Sequence, residues 1–306
     1  MIPRLEERLT GAYASLPVPL KADGGVDLDG LGEIVERVLL RGIRGLLVLG
    51  DTIESSQLTP DERDRVVACT VQHAEKRATV LAGLHASSTA QAVDEGKGFR
   101  DLGADGLLVS LAEKGAELSA GELLTPAIAH FTAIVRDVGL PTMYDHVPSE
   151  LALSPEEVSD LFSEVTLVGI RNGTPNGSDV RAQMRAVGRP ISMFTSRSYQ
   201  CLECLAEGGV GAMCPLVTVM PLTARRLIEK HRAGNDAGAR DAESRLERAR
   251  AFVTTTVPNE SVHLPLTEAL AALGLVGPAV SRKLAVALSD VRRKTIQDLA
   301  RELVEL

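Results

Sequence analysis

Short runs of Leu, Val, Ile and Ala, apolar at nearly every position, alternate along this chain with segments whose apolar residues recur at helical spacing. Eight such runs are strand candidates: Ala12–Pro17, Gly45–Gly50, Thr79–Leu84, Gly106–Leu111, Thr142–His146, Leu167–Asn172, Ile191–Thr195 and Gly211–Leu216. Runs that are apolar throughout, with no polar alternation, describe strands covered on both faces, as in a parallel sheet under helices. Between them, Leu31, Ile34, Val35 and Val38 share one helical face. Thr59-Pro60-Asp61-Glu62 and Ser154-Pro155-Glu156-Glu157 each combine a capping box with proline at the first helical position. Gly42…Gly45, Gly103…Gly106 and Gly208…Gly211 each precede an apolar run. The first glycine can take the left-handed helix-end conformation and the second can let the chain turn tightly into the strand.

Eight strand–helix units predict an α/β chain folded as a (β/α)8 TIM barrel over residues 1–220. After the eighth run the pattern is wholly helical, with helices expected at Leu222–Ala233, Asp236–Thr254, Leu266–Leu273 and Ser281–Leu303. Residues 221–306 are expected as a C-terminal helical appendage packed on the barrel, so that the two parts form one structural unit.

Composition narrows the partners. The 306 residues are 44% hydrophobic and 24% charged, enough for a large buried core. A net charge of −8 argues against broad nucleic-acid binding, and the absence of Trp argues against a base-stacking platform. The first ten residues mix both charge signs without an apolar core, and no apolar run is long enough to span a bilayer, so a cytoplasmic protein without membrane partners is expected. Four cysteines make no disulfide framework. Cys201 and Cys204 form a CxxC inside a helical pattern, Tyr199–Ala206, without a second pair at zinc spacing, which describes two small residues one turn apart.

In such a barrel the active site is built by the loops at the C-terminal ends of the strands. The polar residues there are Asp51, Thr52 and Glu54 after the second run, His85 after the third, Glu113 and Lys114 after the fourth, Tyr144, Asp145 and His146 at the fifth, Arg171 and Asn172 at the sixth, and Thr195 to Ser198 after the seventh. Bland roles compete with each: His85 could be a helix-capping or hydrogen-bonded residue, and Glu113 and Lys114 could be a solvated loop. Tyr144 and Arg171 lie within strand patterns, where a phenol or guanidinium must find partners or line a polar cavity.

These residues resemble a known family. Gly50-Asp51-Thr52-Ile53-Glu54-Ser55, followed by Leu58-Thr59, is similar to the Gly-Thr-Thr-Gly-Glu-Ser segment of the dihydrodipicolinate synthase/N-acetylneuraminate lyase family. Met143-Tyr144-Asp145 resembles its Tyr-Asn-x-Pro strand and Gly169-Ile170-Arg171-Asn172 its Gly-Ile-Lys-Asp/Glu strand. Gly208 to Pro221 and Leu264 to Leu275 also match family patterns, so the resemblance spans nearly the whole chain in order. It implies a barrel that binds a small oxo-acid, needs no cofactor or metal, and assembles as a homodimer or homotetramer. It further implies that Tyr144 stands at the proton-shuttling tyrosine and Arg171 at the imine-forming lysine.

The departures fall at the chemistry. Arginine stays protonated at ordinary pH and cannot condense with a carbonyl. Asp51 and Ile53 stand in the carboxylate cradle, Leu111-Ala112-Glu113 replaces a Pro-Tyr-Tyr segment, and Ser149 or Glu150 stands at a substrate-binding arginine. The expectation is a lyase of carbon–carbon or carbon–oxygen bonds, of aldolase or hydratase type, that works without the lysine imine. Tyr144, Arg171 and His146 are its candidate catalytic residues, and Asp51, Thr52, Glu54, His85, Lys114, Asn172 and Ser196 its candidate substrate contacts. Alternatives are a non-catalytic barrel binding a small anion or partner, an imine relocated to Lys114, and a metal held by His85, His146, Asp51 and Glu113.

Overall fold

The computed structural model describes residues 5–50, 57–86, 88–111, 122–146, 153–173, 177–254, 263–282 and 287–304. Eight parallel strands close into a barrel in the order β1 to β8: Gly11–Ser15, Gly45–Val48, Thr79–Leu84, Gly106–Ser110, Thr142–His146, Gly169–Asn172, Ser192–Thr195 and Gly211–Cys214. The last strand pairs with the first, Gly11 opposite Gly211 and Ala14 opposite Cys214, so the sheet has no free edge.

A short helix α1 (Leu5–Arg8) precedes β1. Helices α2 (Leu28–Leu40), α3 (Pro60–Ala74), α4 (Thr89–Asp101), α5 (Leu124–Val138), α6 (Pro155–Glu164), α7 (Gly177–Val187) and α8 (Cys201–Ala206) connect the strands. Beyond β8 follow α9 (Pro215–Val219), α10 (Pro221–Arg232), α11 (Asp236–Arg248), α12 (His263–Ala272) and α13 (Asp290–Leu303). Both expected capping boxes form. Thr59 and Glu62 at α3, and Ser154 and Glu157 at α6, bond reciprocally with proline in the first turn. Leu31, Ile34, Val35 and Val38 are all fully buried on α2.

The core falls into two layers because successive strand residues point to opposite faces. Leu47, Leu81, Leu108 and Met143 meet Tyr13, Phe194 and Met213 inside the barrel, and Leu5 and Leu9 close its N-terminal end. Their neighbours in sequence, among them Ala14, Val48, Val80, Val109, Tyr144 and Ile170, belong to the outer layer under the helices. Tyr13 and Phe194 meet edge to face at 5.1 Å, and Tyr13 Oη donates to the Arg8 carbonyl.

The glycine joints work as the pattern implies, with one refinement. Gly42, Gly103 and Gly208 take φ of 82°, 97° and 94°. The second glycine of each joint makes room inside the sheet: a Cβ at Gly45 would lie 2.4 Å from the Tyr13 ring, and one at Gly211 1.9 Å from the Gly11 carbonyl oxygen.

Two helix expectations change. Asp236–Thr254 is one α-helix to Arg248 followed by a 3-10 turn, Ala249–Phe252. The last helix begins at Asp290 rather than Ser281, because Ser289 caps it by accepting from the Arg292 N–H. Upstream, the Arg282 side chain is drawn instead to Glu62 at the start of α3, with further bonds to the Gly24 and Gln57 carbonyls. Among the described residues no helix is long and apolar enough to cross a membrane.

Candidate active site

The C-terminal end of the barrel is where polar side chains enter its interior. Met143 faces inward, so Asp145, two residues on, faces inward as well, while Tyr144 and His146 face the helices. On β6, Ile170 lies in the outer layer and Arg171 points in. Asp145 and Arg171 sit opposite each other in the β5–β6 register. Arg171 Nε donates to Asp145 Oδ1 at 2.8 Å and its Nη2 to Oδ2 at 2.6 Å. Both residues are almost wholly buried. A planar guanidinium matched to a carboxylate in this two-point geometry is the strongest form of such a pair.

Two serines end inward-facing runs at this end of the barrel, Ser110 opposite Asp145 in the β4–β5 register and Ser15 at the end of β1. Ser15, on the inward face two residues beyond Tyr13, is 1% exposed, and its hydroxyl meets no partner among the described residues. Ser110 follows inward-facing Leu108 on β4. Neither stood out in the sequence, since a serine ending an apolar strand carries no distinctive pattern. The period-two alternation from Tyr13 and Leu108 is the signal that finds them.

Tyr144 is placed differently from the sequence expectation of a cavity-lining phenol. Its ring packs edge to face against Phe131 of α5 at 5.6 Å and against His146 at 5.5 Å. Its Oη lies 3.3 Å from His146 Nδ1 and is also hydrogen-bonded by the Leu153 backbone. Burial, with the Asp145 charge adding to it, pushes the phenol's pKa well up, so it stays protonated. Asn172, next but one after Ile170 on the outer face, donates through Nδ2 to Gln183 Oε1 of α7 at 2.7 Å. Tyr144, His146 and Asn172 therefore belong to the strand–helix interface. The physical reason is parity: a shift of one residue along a strand exchanges its two faces.

His85 is engaged with backbone, its Nε2 lying 3.0 Å from the Leu49 carbonyl oxygen and 2.5 Å from that of Gly50. Leu49 has φ of 57°, a left-handed conformation unusual for leucine. Gly83 backs this turn so closely that a Cβ there would lie 2.0 Å from the Leu49 oxygen. His85 and Gly83 thus hold the end of β2, from which residues 51–56 depart. Ser196 lies half-buried at the rim, its N–H bonded to the Asn172 carbonyl at 2.8 Å. Asp51, Thr52, Glu54, Glu113 and Lys114 lie outside the described residues.

The rim also holds Arg197, which the sequence offered within Thr195 to Ser198 but did not carry into the candidate site. Its N–H donates to Thr195 Oγ1 at 3.0 Å and its Nε to the Gly173 carbonyl at 3.3 Å, bridging the ends of β7 and β6. Cys201 and Cys204 are buried on α8 as expected of packing residues, and burial raises both thiol pKa values. No group of three or more His, Cys, Asp or Glu side chains suited to a metal occurs among the described residues.

The barrel and the helices that follow it agree with comparison to known proteins. The model of the dihydrodipicolinate synthetase family matches residues 8–303. The chain belongs to that family. Among the relatives, 4-hydroxy-tetrahydrodipicolinate synthase of Acidiphilium cryptum is 30% identical over 238 residues, covering 77% of this chain and 80% of the relative. The same-named protein of Gluconacetobacter diazotrophicus is 29% identical over 292 residues, covering 94% and 95%. Dihydrodipicolinate synthase of Aquifex aeolicus superposes with a TM-score of 0.85 at 25% identity, over 96% of this chain and 97% of that one. A family member encoded by a prophage of E. coli K12, solved in complex with pyruvate, shares the fold with a TM-score of 0.86 at 21% identity, covering 96% and 98%.

Proposed function

We propose that this member of the dihydrodipicolinate synthetase family is a lyase acting on a small oxo-acid without an imine to its β6 side chain. One observation carries the reading: the inward-facing group on β6 is the Arg171 guanidinium, bound at two points to Asp145. A group that keeps its proton cannot attack a carbonyl. What it supplies is a fixed positive pole, ready to stabilise an enolate or alkoxide as charge develops. Asp145 orients that pole.

The resemblance of Gly169-Ile170-Arg171 to Gly-Ile-Lys supports reading Arg171 as standing at the family's imine lysine. Aligned on Pro148 without an insertion, the Tyr-Asn-x-Pro pattern places Asp145, rather than Tyr144, at its tyrosine. The two inward positions would thus have changed together, from an amine and a phenol to an ion pair. The relatives' names and the pyruvate complex of the E. coli prophage protein support a small oxo-acid as the substrate class. Assembly as a homodimer or homotetramer is part of the same proposal, and sedimentation of the purified chain measures it.

The same pair also favours a second reading, a barrel that binds an oxo-acid without turning it over, because Asp145 already balances the Arg171 charge. One experiment separates the readings. The protein is incubated with pyruvate and with larger oxo-acids, reduced with borohydride, and weighed intact, while turnover is followed in parallel. The expected result is no mass adduct, with turnover abolished in Arg171→Met and retained in Tyr144→Phe. An adduct mapped to any lysine, Lys114 included, overturns the imine-free mechanism. Binding without turnover of any oxo-acid selects the second reading.

A further inference from the structure

Because Arg171 and Asp145 neutralise each other, an anionic substrate needs another cation at this end of the barrel. Arg197 is placed to supply it. It follows β7 directly, and its Nε bond to the Gly173 carbonyl sets the guanidinium across the β6–β7 edge, two residues beyond Arg171 along β6. The backbone bond from its N–H to Thr195 Oγ1 fixes the base of the side chain, and Thr195 itself is buried. Among the described residues Arg197 forms no ion pair, and neither Nη1 nor Nη2 meets an acceptor.

Several other arginines of the connecting segments and appendage are spent on the fold. Arg63, Arg282 and Arg293 pair with Glu95, Glu62 and Glu268, and Arg37 uses both Nη groups on the Thr218 and Val219 carbonyls. Arg197 spends only Nε, which leaves the Nη1–Nη2 edge, able to meet a carboxylate at two points end-on as Arg171 meets Asp145 side-on through Nε and Nη2. A second observation indicates a polar ligand at the same end: the buried Ser15 hydroxyl has no partner among the described residues, and such a group ordinarily finds one in the protein, in water or in a ligand.

We propose that Arg197 is the carboxylate anchor of this site, so that the substrate is an oxo-acid held by its carboxylate over the β6–β7 edge. This rests on the small oxo-acid reading given above and deepens it: Arg197 selects for the acid, and the Arg171–Asp145 pair acts on the remainder of the molecule.

Calorimetric titration of the wild-type chain, Arg197→Met and Arg197→Lys with pyruvate, succinate and uncharged methyl pyruvate tests this, with thermal melting as the check on folding. Arg197→Met is expected to weaken pyruvate and succinate at least about tenfold, the scale of a charge-assisted two-point contact, and to leave methyl pyruvate unchanged. Arg197→Lys, which keeps charge but loses the fork, is expected to show a smaller loss. The anchor is overturned if Arg197→Met, melting like wild type, binds both carboxylates as tightly as wild type. It is equally overturned if wild type binds neither, or binds methyl pyruvate as well as pyruvate. A trapped imine, or Arg197-dependent binding without turnover, refutes the imine-free lyase and leaves the anchor standing.

Discussion

At the scale of single residues, the buried Asp145–Arg171 pair is the feature on which the proposed chemistry and part of the stability turn. Two charges taken out of water are tolerable only while they satisfy each other, and removing one strands the other. Arg171→Met should therefore cost about 3–5 kcal/mol in urea denaturation, since it leaves a buried carboxylate unpaired. Replacing both, as Asp145→Leu with Arg171→Met, should recover most of that loss, because an apolar pair carries no desolvation penalty. A double variant no more stable than the single one would refute this account. Tyr144 teaches a complementary lesson. Its neighbours in sequence made it a site candidate, but its neighbours in space are Phe131 and His146.

At the scale of elements, the end of β2 shows how a strand terminus is shaped for a loop. Leu49 adopts a conformation few side chains accept, and Gly83 of β3 and His85 just after it hold it there. Gly83→Ala would drive a Cβ into the Leu49 carbonyl, backbone against backbone, where no side chain can give way. The expected loss is about 3 kcal/mol, at the upper end of ordinary overpacking, measured by chemical denaturation. A neutral substitution would mean that the β2–β3 ends can slide apart. The capping boxes of α3 and α6 and the left-handed glycines were legible beforehand because each is a local interaction within a few residues.

At the scale of the whole molecule, Arg282 ties the appendage to the barrel. It bridges the segment between α12 and α13 to Glu62, to Gly24 and to Gln57, which immediately follows residues 51–56. Bonded by the Arg282 guanidinium and the Thr59 N–H, the Glu62 carboxyl is lowered from 4.5 to about 2. A depressed carboxylate contributes stability that is complete above its unfolded value near 4.5 and disappears as pH falls through about 2. Wild type should thus exceed Arg282→Met by about 1–2 kcal/mol at neutral pH, after allowance for solvent screening, with the gap closing between pH 4.5 and 2. Acid titration of the two proteins' denaturation midpoints checks this. A gap that does not change with pH would assign Arg282 a packing role alone.

The sequence by itself determined the barrel, its eight strands to within a few residues, and the order of its helices. Those features follow from periodicity, capping residues and glycine joints, all of which act over short stretches of chain. It also offered Arg171, whose charge inside an apolar strand demands a partner. What it could not supply was the partner or the side of the sheet. Asp145 and Tyr144 are adjacent in sequence, and only closure of the barrel, with Met143 fixed inside, sends one to the interior and the other to α5. The roles of Arg197 and Ser15 likewise depend on which groups the fold leaves partnered at the rim and beneath it. Strand parity is a two-way choice that one residue reverses, and hydrogen-bond satisfaction is settled among distant strands, so both belong to the tertiary structure.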